Sequence, residues 1–245
     1  ILNKYINKLP ETYNIELFLG DFDQGDTSTV LGYAQNGTDG SIDRIVLNRN
    51  KLQENSVLNT SQEKLLTVTL IHEVLHIFGL VGIDPSDGTT EIQNVTLNGR
   101  NYQWKLYTGE NGIEEYQNLL RLLKTKTNFN YTSTSTSISN LSETSITSLQ
   151  YMLLEDDFGE GTQHVHLEEG LGEDFTIEQF TKVEGDTLIH YPSIMNEITT
   201  GFQNNKSYIT RITLGMLEDL NFEVNYPALE IEENTEGYFN NIIVV

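Results

Sequence analysis

The chain contains no cysteine. Disulfides therefore do not staple the fold, thiolate metal sites and cysteine nucleophiles are excluded, and thiols give no reading of the redox compartment. Long apolar runs are also missing, so no transmembrane segment is expected. Basic residues are few, 14 Lys and Arg against 36 Asp and Glu, for a formal net charge of −22. That field repels nucleic acid and anionic membranes, keeps the surface solvated, and favours cations or basic substrates. The first residue is Ile1, with neither an initiating Met nor a signal-like start, which reads as a trimmed or mature N-terminus. What is present, 245 residues at 37 % hydrophobic, suffices for one large domain or two small lobes around a cleft. Asn-x-Ser/Thr sequons at Asn36, Asn59, Asn94, Asn130, Asn140 and Asn205 are mostly what chance gives in a chain so rich in Asn, Ser and Thr.

Residues 12 to 48 read as short strands. "YNIELFLG" alternates apolar and polar residues, and "TVLGYAQ" and "SIDRIVLN" follow, separated by the turn dipeptides Asn36-Gly37 and Asp39-Gly40. A helix is expected next, with Thr60 as N-cap, Glu63 at the capping-box position and Gly79 as its stop. Leu65, Leu66, Val68, Leu70, Ile71, Val74, Leu75 and Phe78 make it apolar over much of its surface, as suits a helix through the domain centre. Beyond a polar loop, "TLNGRNYQWKLY" predicts a hairpin turning at Asn98-Gly99. A second helix is predicted over 113–123, and "ITLGMLEDL" a third. The Thr/Ser/Asn-rich stretch 124–147 reads as an extended surface segment.

Within the first helix stands His72-Glu73-Val74-Leu75-His76. Residues four apart on a helix lie about 40° apart around the axis, so both histidines can grip one ion. Glu73, offset by one residue, can reach a water on that ion without ligating it. A catalytic zinc takes three protein ligands and keeps one position open. Two histidines and a glutamate on so apolar a helix are costly to bury without such a partner. Only five histidines exist, so the third ligand is His164, His166 or His190, or else a glutamate such as Glu114 or Glu115. His164 and His166, two apart on an extended segment, would face the same way, so geometry alone does not separate them.

"HEVLHIFGL" resembles the active-site helix of metzincins, except that Gly82 stands where their third histidine normally follows. That departure is similar to the leishmanolysin-like zinc peptidases, in which an insertion precedes the ligand. "YTGENGIEEYQNLL", "EDDFGEGTQHVHLEEG", "SIMNEITTG" and "ITRITLGMLEDLNFEVN" resemble further stretches of that family in the same order, over roughly residues 30 to 226. The resemblance implies an α+β, two-lobed catalytic domain. An upper lobe, residues 1–82, would hold a twisted mixed sheet and the zinc helix. An irregular lower lobe, residues 83–245, would hold the third ligand, the Met-turn and the C-terminal helix. It implies one catalytic Zn2+ on His72, His76 and His166, with Leu167 replacing the family's usual Trp, Glu73 as general base, and Met195 as the floor beneath the ligands. His190 reads as a solvated loop histidine. Strand edge Ile45, Val46 and Leu47 would pair with the main chain of bound substrate. The implied protein is a monomeric endopeptidase, secreted or on the cell surface, acting on proteins or peptides. Two departures are the lack of cysteines and a long gap between His166 and Met195; Glu197 also removes any tyrosine two residues after the Met. Another class of function is a non-catalytic adhesion or binding module on the same scaffold, against which Glu73 argues. Ca2+ is suggested only by "DFDQGD" and "DPSDG", neither of which fits an EF-hand.

Overall fold

The computed structural model describes residues 2–20, 31–35, 37, 42–49, 60–80, 88–97, 100–125, 142–154, 166–167, 178–184, 187–192, 198–199 and 209–228. Among these residues four helices and ten strands form an α+β arrangement of two three-stranded and two two-stranded sheets. Strand β1 (Ile6–Lys8) runs antiparallel to β10 (Glu223–Val224), which ties the two ends of the described chain together.

The sheet that positions the site consists of β2 (Ile15–Gly20), β3 (Gly32–Gln35) and β4 (Asp43–Asn48) in the order β2-β4-β3. β4 is parallel to β2 and antiparallel to β3. Its alternation puts Ile45 and Leu47 on one buried face, where helix α1 (Thr60–Ile77) lays Leu66, Leu70, Val74 and Ile77 on them. Leu17 and Leu19 of β2 stand beside Ile45 and Leu47 in register, yet they are exposed beyond the helix. The opposite side of α1, carrying Val68, Ile71 and Leu75, enters the largest core cluster. Apolar residues on both sides are therefore a consequence of burial on both sides. Each such side chain contributes about 1.5–3 kcal/mol when fully buried.

Helix α1 is already formed at Thr60, so Thr60 is its first residue and not its cap. It stops where expected. Gly79 has φ of +85°, a left-handed conformation that glycine adopts without a Cβ clash. Its N–H bonds to the His76 carbonyl, and the Leu80 N–H reaches the Leu75 carbonyl. This is a Schellman closure, sealed by burial of Leu75 and Leu80 together.

The remaining core is helical. Helix α2 (Glu110–Lys124) packs against α4 (Arg211–Asp219), with the short α3 (Glu143–Thr147) beside α2. Strands β5 (Thr90–Leu97) and β6 (Arg100–Tyr107) make the expected hairpin. Leu97 opposes Arg100, and Asn98 and Gly99, the expected turn, lie outside the described residues. β7 (Met152–Leu153) extends that sheet, and β8 (Glu178–Glu184) pairs with β9 (Thr187–Pro192). The largest cluster draws on residues from both sides of position 82, including Val68, Leu75, Tyr116, Leu167 and Leu217.

Two helices differ from the sequence expectation for identifiable reasons. α2 starts at Glu110 instead of 113 because a distant carboxylate caps it. Asp219 accepts hydrogen bonds from the backbone N–H groups of Asn111 and Gly112, from the Asn111 amide and from the Tyr107 hydroxyl. A negative charge is favourable at that positive helix end. Within the supposedly extended stretch, the described residues 143–147 are instead helical. There Ser142 caps the Ser145 N–H, and Ile146 is fully buried.

Asp219→Ala removes the acceptor of two part-buried backbone N–H groups at the start of α2 and of the Tyr107 hydroxyl. Denaturant titration should show a loss of about 2–4 kcal/mol. Glu114→Ala, at an exposed position of α2, should stay within about 0.5 kcal/mol.

Candidate metal centre

The sequence places His72 and His76 one turn apart on α1, and the fold brings His166 to them from 90 residues further on. Their Nε2 atoms form a tight triangle, with separations of 2.9 Å (His72 to His76), 3.0 Å (His72 to His166) and 3.1 Å (His76 to His166). The rings present edges and faces to one another, His72 and His76 at 84°. His72 and His166 are buried and His76 is half-buried. Among the described residues these three side chains form the group able to hold a metal ion.

Backbone contacts fix two of the three. The His72 Nδ1–H donates to the Ile198 carbonyl at 2.6 Å, which leaves its Nε2 lone pair aimed into the triangle. Leu167, next to His166, donates its N–H to the Thr199 carbonyl at 2.9 Å and bridges to Leu154. Leu154 is itself bonded to the Lys105 carbonyl on β6.

Proton accounting shows what the triangle fits. A neutral imidazole carries one N–H, and that of His72 is spent on Ile198. At most two hydrogens then remain for three N···N contacts. Extra protons are opposed, because burial, and then neighbouring His76, hold His72 well below the usual histidine range. A cation satisfies all three lone pairs at once. Tetrahedral zinc, with Zn–N bonds of about 2.0–2.1 Å, sets its nitrogens about 3.3 Å apart. The observed triangle is only a few tenths of an ångström tighter. Neutral imidazoles suit Zn, and equally Cu, Fe or Ni, so the donor set could hold a transition metal without by itself choosing the element.

Glu73 follows the ligand candidate His72 on α1 and is buried, 5 % exposed. Burial pushes its carboxyl up to about 7, against a hydrogen bond from the Ala34 backbone that acts in the opposite direction. Ala34 is on β3, and its small side chain packs under α1. Gly32 on the same strand leaves little room for a side chain. A Cβ there would sit 3.1 Å from Val46 O and Leu47 Cδ2 and 3.4 Å from Thr69 Cγ2. The "GYA" of β3 thus lets α1 approach the sheet closely.

Several sequence expectations change here. Ile45, Val46 and Leu47 are not a strand edge. β4 is the middle strand, its backbone bonded to β2 on one side and β3 on the other, so it has no free groups to offer a peptide. Glu115 is not a metal ligand, since both carboxylate oxygens are taken by Arg211, Oε1 at 2.7 Å from Nη2. Glu114 on the same helix is exposed. His190 lies on β9, opposite Thr181, and not in a loop. Met195, His164, "DFDQGD" and most of "DPSDG" lie outside the described residues. Ala34, Ile198 and Thr199 were missed, because each acts through its backbone and so leaves no side-chain signal.

Comparison with known proteins finds no matching family model, no matching curated protein and no matching solved structure.

His72→Ala, His76→Ala and His166→Ala should each weaken Zn2+ binding by at least about 100-fold, the upper end of what outer-shell changes cost. His164→Ala should leave it unchanged. Competition titration with a chromophoric chelator checks both. Zinc held at about 1,000 times its Kd should add about 4 kcal/mol to the unfolding free energy, seen as a rise in Tm that a chelator reverses.

Proposed function

We propose that the chain is a zinc-dependent endopeptidase of leishmanolysin-like, metzincin type. The observation that carries this reading is the convergence of three histidine nitrogens, two of them from a helix that also carries a buried glutamate between those two histidines. The order of the five sequence stretches that resemble that family supports it, and so does the agreement between the ligand that resemblance selects, His166, and the histidine found in the triangle. In this reading the fold has two lobes, with Met195 beneath the ligands. The protein acts outside the cell or on its surface.

His72, His76 and His166 would hold a Zn2+, which when bound would acidify a water to a pKa of about 7 and polarise the scissile carbonyl. The chain's own residues supply the rest. Glu73 takes the proton of the attacking water and delivers it to the leaving amine. A carboxyl raised by burial toward neutral pH is suited to both halves of that transfer. β3 supplies alignment. Among the described residues its strand partner is β4, and its Ala34 backbone bonds to Glu73. A substrate main chain lying along β3 would add a strand there, binding backbone and tolerating varied side chains.

Glu73→Gln keeps the shape of the side chain and removes the base. It should retain one Zn2+ per chain and lose about 10²–10⁴-fold in cleavage of a casein or gelatin substrate. Digestion at the wild-type rate would show that Glu73 is not the base. A zinc-loaded wild type that cuts no peptide would favour the binding module.

A further inference from the structure

We propose that the two-residue turn Ile198–Thr199, acting with Leu167, is the positioning element that sets two of the three metal ligands together. The inference rests on the metal-centre reading above and adds a part that the ligands themselves do not reveal. The two consecutive carbonyls of this turn have different clients. Ile198 O accepts from the His72 ring at 2.6 Å, and Thr199 O accepts from the Leu167 N–H at 2.9 Å. One fixes the tautomer and rotation of a ligand that comes from helix α1. The other fixes the backbone adjoining a ligand that comes from 94 residues later in the chain.

Packing makes the element rigid. Ile198 is 0 %, Thr199 4 % and Leu167 1 % exposed. Ile198 and Leu167 both belong to the cluster that holds Val68, Ile71 and Leu75 of the metal-binding helix. Leu167 is held a second time by its bridge to Leu154. A shift of the turn therefore moves the His72 ring and the His166 backbone as a unit, and changes two sides of the nitrogen triangle. Outer-shell partners of this kind typically control metal affinity by about 10–100-fold. The two aliphatic side chains do not touch the metal in this account. They convert core packing into ligand placement.

The test measures Co2+ and Zn2+ affinity by competition titration, together with the visible absorption of the Co2+ form, on the full chain. Ile198→Ala and Leu167→Ala should each raise the Kd by about 10–100-fold and alter the Co2+ ligand-field bands. Leu167→Met, which refills the space, should restore both. Ile146→Ala is the control: it empties a fully buried position of the same cluster, on α3, and should lower the unfolding midpoint without moving the Kd or the bands. Equal effects from Ile146→Ala and from the two positioning variants would overturn the proposal.

Should an alanine variant not fold, an ester replacing the Ile198–Thr199 amide answers the same question. It weakens the Ile198 carbonyl as an acceptor and removes no side chain. A raised Kd with altered bands supports the proposal, and wild-type values overturn it. A wild type that binds neither ion overturns the metal-centre reading itself. A wild type that binds, with variants that bind equally well, overturns only the positioning role.

Discussion

Three imidazole nitrogens lie within 2.9–3.1 Å of one another, with two of the rings buried, an arrangement that a cation would compensate. Their lone pairs outnumber the hydrogens available, and burial opposes the protons that would make up the difference. The rest of the structure can be understood as what is needed to bring and hold them there. Two of the rings come almost free from helical periodicity. The third requires that chain far from α1 return to it, and the return is made by backbone hydrogen bonds at Ile198, Thr199 and Leu167 inside the main cluster.

Helix α1 mediates between the two halves of the core. One side lies on Ile45 and Leu47 of the small sheet, and the other joins the helices α2 and α4. Its left-handed stop at Gly79 and the close approach allowed by Gly32 fix its placement along and above the sheet. Glu73 is buried by the same packing that orients the histidines, and Ala34 of β3 meets its carboxylate. Charge placement, helix burial and the seating of β3 under α1 are thus one arrangement. α4 anchors it from below. Asp219 caps α2, and the Arg211 guanidinium grips Glu115 with two hydrogen bonds while lying over the Tyr226 ring, 4.7 Å from its centre.

Much of this was legible in the sequence, because the informative signals are local. The histidine spacing, the glycine stop of α1, the Asn-Gly hairpin and the strand alternation of β2 to β4 each depend on a few neighbouring residues. What was not legible depends on residues far apart. "DRIVLN" has the same alternation whether it is a centre or an edge, and only the partners of β4 reveal that it is the centre. α2 starts early because of a carboxylate 108 residues away, which no local pattern records. Glu115 resembles a possible ligand until Arg211 is seen to hold it. The choice between His164 and His166 is open on geometry in the sequence. The resemblance to leishmanolysin-like peptidases selects His166, and the fold places that histidine in the triangle.

Zinc K-edge X-ray absorption on the zinc-loaded chain is the most direct test of the central claim. It should show three imidazole nitrogens at about 2.0–2.1 Å and one further light ligand, with the imidazole scattering falling by one ring in His166→Ala. Fewer than three imidazoles in the wild type, or a spectrum that His166→Ala leaves unchanged, would contradict the account.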